Sequence, residues 1–238
     1  MLSKSRTRAT ALVIAVFTLS CARLTPWRNE PIGEEVNLAF TLRGNLVELP
    51  TVRLDNRAGH FILGTAAPRT AIDPRFFGGR AKTLQMGEKN TVKIAPVAVD
   101  LRGAADAIIG AEAWKNQAIT IDYRAGLVTF QKYPIETSQM AVFRYDAAPA
   151  VNVRVDGSEV AAIVDTSSPD TLVLPRGTRG RGTANVRLAG IDFGTIDVQY
   201  ANVDRPRIGN RLLSHFLVTI DYGRREVGLW RDRRQAVS

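Results

Sequence analysis

The sequence predicts an all-β protein made of two similar lobes, and three observations lead there. Short segments alternate apolar and polar residues at the period of a half-buried strand. A fourteen-residue block recurs at a shift of 101 positions. Helical patterning is confined to two short stretches, 111–116 and 210–215. The 238 residues are 45% apolar, enough to build a substantial core, and ordinary aromatic and charge contents argue against wholesale disorder.

The chain begins with an address. Lys4, Arg6 and Arg8 form a positive segment ahead of the apolar run Ala11-Leu-Val-Ile-Ala-Val-Phe17, and no acidic residue appears before Glu30. That is the layout of a secretory signal, with an apolar run too short for a comfortable membrane span. Cys21, the only cysteine, follows directly in Phe17-Thr-Leu-Ser-Cys21. The expected organisation is a signal at residues 1–20, a tether with Pro26, Pro31 and Gly33 at 21–35, a first lobe at 36–133, a linker at 134–141 and a second lobe at 142–233.

The repeat defines the lobes. Phe61-Ile-Leu-Gly-Thr-Ala-Ala-Pro-Arg-Thr-Ala-Ile-Asp-Pro74 aligns without gaps to Ala162-Ile-Val-Asp-Thr-Ser-Ser-Pro-Asp-Thr-Leu-Val-Leu-Pro175. Ile62/Ile163, Thr65/Thr166, Pro68/Pro169, Thr70/Thr171 and Pro74/Pro175 are identical. Further on, Ile109-Gly110 matches Ile208-Gly209, and Thr120-Ile-Asp-Tyr123 matches Thr219-Ile-Asp-Tyr222, at a shift of 99. Two ordered, matched blocks mark an internal duplication.

Strands are expected at Val47-Glu-Leu-Pro-Thr-Val-Arg-Leu54, with a break of phase at Thr51, and at Val151-Asn-Val-Arg-Val155. Asp156-Gly157 is a two-residue hairpin signal leading into Val160-Ala-Ala-Ile-Val164, and Asn56-Arg-Ala-Gly59 reads as its looser equivalent. Later strands are expected at Val92-Lys-Ile-Ala-Pro-Val-Ala-Val99 and Ile196-Asp-Val-Gln-Tyr-Ala-Asn-Val203. Arg176-Gly-Thr-Arg-Gly-Arg-Gly182 is arginine–glycine-rich but free of aromatics, and reads as a flexible solvated loop rather than a nucleic-acid segment.

Asp165-Thr-Ser-Ser, between an apolar strand and Leu172-Val-Leu-Pro175, resembles the Asp-Thr-Gly-Ser/Ala signature of aspartic peptidases. Ile208-Gly-Asn-Arg-Leu-Leu-Ser-His-Phe-Leu-Val-Thr-Ile-Asp-Tyr222 resembles the Ile/Leu-Gly segment that follows in retropepsin-like bacterial proteins. The resemblance covers 45–230, once per lobe, and implies two retropepsin-like β lobes in a pepsin-like bilobal arrangement. Likewise Phe17-Thr-Leu-Ser-Cys21 resembles a bacterial lipoprotein signal, which implies lipidation of Cys21 and a place in the bacterial cell envelope.

The resemblance implies a catalytic role for Asp165 opposite a second aspartate. Two adjacent carboxylates share a proton, one activating water while the other polarises the scissile carbonyl. Here Gly64 stands at the partner position, and glycine supplies neither acid nor base. Thr65 and Thr166, which would brace the loops against each other, are both kept. Ala66 and Ser167 replace the family's glycine, and Ser168 follows in the second loop. Asp73 lies nine residues beyond Gly64, aligned with Leu174, and is not expected to substitute for the missing acid. Asp122 and Asp221 are expected to close strand turns.

One cysteine excludes an intramolecular disulfide and a multi-cysteine metal site, and the two histidines, His60 and His215, exclude a His-rich one. No cofactor, metal or nucleic-acid partner is expected. The formal charge of +9 permits attraction to anionic surfaces without requiring it. The leading expectation is an exported, catalytically impaired aspartic-peptidase homologue that binds extended peptides between its lobes. Two alternatives stay open: an active aspartic endopeptidase using Asp165 from two copies, and a structural envelope lipoprotein.

Overall fold

The computed structural model describes residues 35–114, 117–131, 136–176 and 178–231, and the fold is all-β. The expected signal and most of the tether, with Cys21, lie outside the described residues. Each half of the duplication donates three strands to one six-stranded sheet. Its order is Val36–Ala39, Leu127–Gln131, Ala118–Asp122, Leu217–Asp221, Glu226–Trp230 and Ala141–Arg144, three from the first half followed by three from the second. At its centre Ala118–Asp122 runs antiparallel to Leu217–Asp221 with Thr120 opposite Thr219. Their hydroxyls lie 3.3 Å apart. The strands that carry the repeated Thr-Ile-Asp segments are therefore each other's partners across the seam, with the two threonines paired directly.

Alternation sets which way each strand faces. In Val36–Ala39, Val36 and Leu38 are buried while Asn37 and Ala39 are exposed. Ala150–Val155 and Gly180–Leu188 carry the same alternation along most of their length. The inward residues of both halves join one core in which Ile119, Ile121 and Phe130 meet Val218, Ile220 and Val227. Trp114 links the halves through ring contacts with Phe130 at 5.5 Å and Tyr222 at 6.2 Å.

The second half closes into a barrel of Ala150–Val155, Ser158–Val164, Arg207–Ile208, Leu172–Pro175, Ile191–Ala201 and Gly180–Leu188. The first half is instead split into a six-stranded and a three-stranded sheet. Two prolines account for the breaks, because proline has no N–H for the ladder. Pro50 falls between Leu46–Glu48 and Arg53–Leu54, and Pro96 between Asn90–Lys93 and Val97–Ala98. The corresponding strand of the second half, Ile191–Ala201, runs eleven residues unbroken.

Three local expectations are corrected. The tight turn of the first half is Asp55-Asn56 (φ 44° and 66°), one residue before the expected segment and 101 before Asp156-Gly157 (φ 49° and 84°). The expected flexible loop ends in a strand: Gly180, Arg181 and Gly182 pair with Tyr200, Gln199 and Val198. Gly182 packs under the Tyr200 ring, which a Cβ would meet at 2.9 Å, and the Arg176 guanidinium lies over that ring, 4.9 Å from its centroid. Of the expected helices, Ala111–Trp114 is a single 3₁₀ turn and Asn210–Leu213 a single α turn.

Candidate functional site

The two repeated loops are held by the same backbone bonds. Gly64 N–H donates to Ile109 O and Asp165 N–H to Ile208 O, both at 2.9 Å. Ala67 N–H donates to Gly64 O and Ser168 N–H to Asp165 O, both at 3.1 Å. Each loop is fed by a strand parallel to the one that ends in Ile-Gly, which sets Ile62 beside Ile108 and Ile163 beside Arg207. The repeated glycines are required by close approach. A Cβ on Gly110 would run into the Arg69 carbonyl, and one on Gly209 into the carbonyls of Asp170 and Ser168.

The structure brings Thr65 and Thr166 together in a reciprocal exchange. Thr65 N–H donates to Thr166 Oγ1 and Thr166 N–H to Thr65 Oγ1, each at 3.1 Å. Each hydroxyl then donates across the seam, Thr65 to Val164 O and Thr166 to Leu63 O, at 2.7 Å. Both side chains are buried, where a lost partner would leave an unsatisfied group at a cost of about 1–3 kcal/mol.

Asp165 is 2% exposed, and both its oxygens are engaged. Oδ1 accepts Ser167 N–H at 3.0 Å and Ser167 Oγ–H at 2.6 Å. Oδ2 accepts Arg207 Nη1–H at 3.1 Å, from a guanidinium that is itself buried. Arg207 Nη2 in turn lies 3.8 Å from the exposed Asp204 carboxylate. Ser167 thus gives Asp165 a hydroxyl where the resembling signature has a glycine.

The first loop is the apolar counterpart. A Cβ on Gly64 would collide with Ile108 Cγ2, and Ala67 and Ile109 O lie close behind. Ile108 and Arg207 occupy equivalent positions, each just before its Ile-Gly pair. One loop therefore pairs Gly64 with Ile108, and the other pairs Asp165 with Arg207. A general acid or base must reach the proton it moves directly or through one water. The buried Asp165 carboxylate holds three protein donors, two from Ser167 and one from Arg207. Ala66 is partly exposed, while Ser167 and Ser168 are buried.

Several residues that fasten this site were not singled out in the sequence. Tyr222 OH donates to Thr65 O at 3.0 Å, from the second half to the first loop. Tyr123 OH donates to Asn210 Oδ1 at 2.8 Å, and Asn210 Nδ2 donates to Thr166 O and Asn45 O, both at 2.7 Å. Burial pushes both phenols above their ordinary range. The repeat carried the signal for them: the tyrosines are duplicated, Arg207 aligns with an isoleucine and Asn210 with Ala111.

The other carboxylates weighed in the sequence serve the scaffold. Asp73 is buried and accepts Arg75 Nε–H at 2.7 Å, Arg75 Nη2–H at 2.6 Å and Leu101 N–H at 2.9 Å. The hydrogen bonds from Arg75 hold its carboxyl far below the ordinary value, against the opposing effect of burial. Asp122 Oδ1 accepts the N–H groups of Arg124 and Ala125, and Asp221 Oδ1 that of Arg224, each just beyond a strand. His60 donates its N–H to Asp106, and His215 packs edge-on against Phe193. Among the described residues no group of three His, Cys, Asp or Glu could hold a metal, and no helix is long and apolar enough to cross a membrane.

No protein-family model matches this chain, and no curated protein matches it.

Proposed function

We propose that this chain is a non-catalytic protein of the aspartic-peptidase type. In this reading the dyad position has become a structural joint between the halves of a duplicated β fold. The supporting observation is the buried Asp165–Arg207 pair at 3.1 Å, which gives the surviving carboxylate a guanidinium in place of a second carboxylate. Losing one acid–base group typically costs about 10²–10⁴-fold, and here the remaining one is engaged as well. An active enzyme formed from two copies would need Asp165 to leave Arg207 and Ser167 to meet its twin, which speaks against that alternative.

The test is incubation of the purified protein with a diverse peptide library from acidic to neutral pH. The expected result is no cleavage above background. Cleavage that disappears in Asp165→Asn and is blocked by a transition-state mimic of peptide hydrolysis would overturn the reading. Extended peptides, bound through backbone hydrogen bonds and side-chain pockets at alternate positions, are the ligands that the resemblance supports. Burial of the loops favours a second reading, in which the fold acts as a rigid envelope component.

Export and lipid attachment belong to the same proposal and rest on residues 1–21. Cys21→Ser is expected to release the protein from the membrane fraction or block its maturation. Unchanged membrane association and processing would overturn the anchor.

A further inference from the structure

Away from the two loops, a second cluster of charged and aromatic groups gathers at the seam. Asp122, Leu217 and Trp230 stand in one row across the six-stranded sheet, each paired with the next. Around that row Arg124 comes from the first half, and Ser214, His215 and Arg231 from the second, lining an open pocket of about 110 Å³. Pockets for drug-sized ligands run to roughly 300–1,000 Å³, so the size of this one suits a small polyatomic group.

The lining decides the sign of its charge. Among the described residues that line it, Asp122 is the one carboxylate, and its Oδ1 already accepts the N–H groups of Arg124 and Ala125. Two arginines line the pocket with it, Arg124 on an exposed turn and Arg231, whose guanidinium lies 6.0 Å from the Phe193 ring centroid. A bare cation would meet both arginines, whereas an anion would meet donors that match its oxygens in a planar fork. We propose that this pocket binds a small oxyanion, a phosphate or carboxylate group, held by Arg124 and Arg231 beside the indole of Trp230. The proposal stands independently of any peptidase resemblance.

His215 gives the site a reporter. Its imidazole is packed against Phe193, and burial, with a smaller contribution from the Arg231 charge, lowers its pKa from the ordinary value. Among the described residues, the charged or titratable groups lining the pocket with it are Asp122, Arg124 and Arg231. An anion arriving there favours the imidazolium and raises that pKa.

The experiment is an NMR titration of the two histidines in the protein, against inorganic phosphate, acetate and, at matched ionic strength, chloride. The expected result is a saturable rise of the His215 pKa in phosphate or acetate, with His60 unmoved. The more effective of the two anions identifies a tetrahedral or a planar ligand. Arg124→Ala, a change on an exposed turn, is expected to weaken the response at least tenfold, and Arg231→Gln is the second variant. Equal movement of His215 in chloride, or an undiminished response in both variants, would overturn the proposal.

Discussion

Replacing Arg207 with alanine is expected to destabilise the protein by about 3–5 kcal/mol, because it leaves the Asp165 carboxylate buried without its counter-charge. Both partners are almost fully buried, at 5% and 2% side-chain exposure, so solvent cannot compensate. The two donors from Ser167 remain, but they do not replace a guanidinium. The check is urea denaturation followed by the fluorescence of Trp114, whose indole is buried where the two halves meet. Asp165→Asn is expected to destabilise for the complementary reason, leaving a buried guanidinium without its carboxylate. A catalytic aspartate held away from stabilising contacts would show little such loss.

Thr166→Val is the second large effect. The substitution keeps the shape but removes the hydroxyl that donates to Leu63 O and accepts from Thr65 N–H. Two buried backbone groups in the opposite half are then stranded, at about 1–3 kcal/mol each. Thr166→Ser keeps the hydroxyl and is expected to recover most of the loss. Because the exchange with Thr65 is reciprocal, Thr65→Val should cost less on the Thr166→Val background than alone. Equal costs in both backgrounds would mean that the two loops do not act as a unit.

Much of this architecture was legible because the duplication wrote it twice. Thr65 and Thr166 and the two Thr-Ile-Asp-Tyr segments mark the positions where the halves touch, and the Ile-Gly pairs mark where each loop is held within its own half. Strand alternation shows the all-β class where a strand has one wet and one dry face, as in Val36–Ala39 and Ala150–Val155. What escaped was set by contacts distant in sequence. Arg207 looks like a surface charge until its bond to Asp165, 42 residues earlier, is seen. Gly180 and Gly182 look like loop residues until their pairing with Tyr200 and Val198, further along the chain, is seen. Pro50 and Pro96 were visible, yet their consequence depends on which ladder each interrupts.

The comparison between halves also separates shape from chemistry. The loop backbone bonds recur with matching lengths, while the side chains at the centre differ as a set. Gly64 with Ile108 is an apolar solution to the same space that Asp165 and Arg207 fill with an ion pair. Buried ion pairs are often replaceable by well-packed apolar residues at little cost, whereas removing one partner is costly. The first half is such a replacement, present in the same molecule.

That equivalence supplies the most direct measurement of the central claim, that Asp165 is a structural partner of Arg207. The measurement is a double-mutant cycle of Asp165→Gly and Arg207→Ile, which transplants the Gly64–Ile108 solution into the second half, with stability read by urea denaturation. The account predicts that each single change destabilises and that the double variant recovers most of the loss, a coupling of about 2–3 kcal/mol or more. Strictly additive losses, with no coupling between positions 165 and 207, would contradict it.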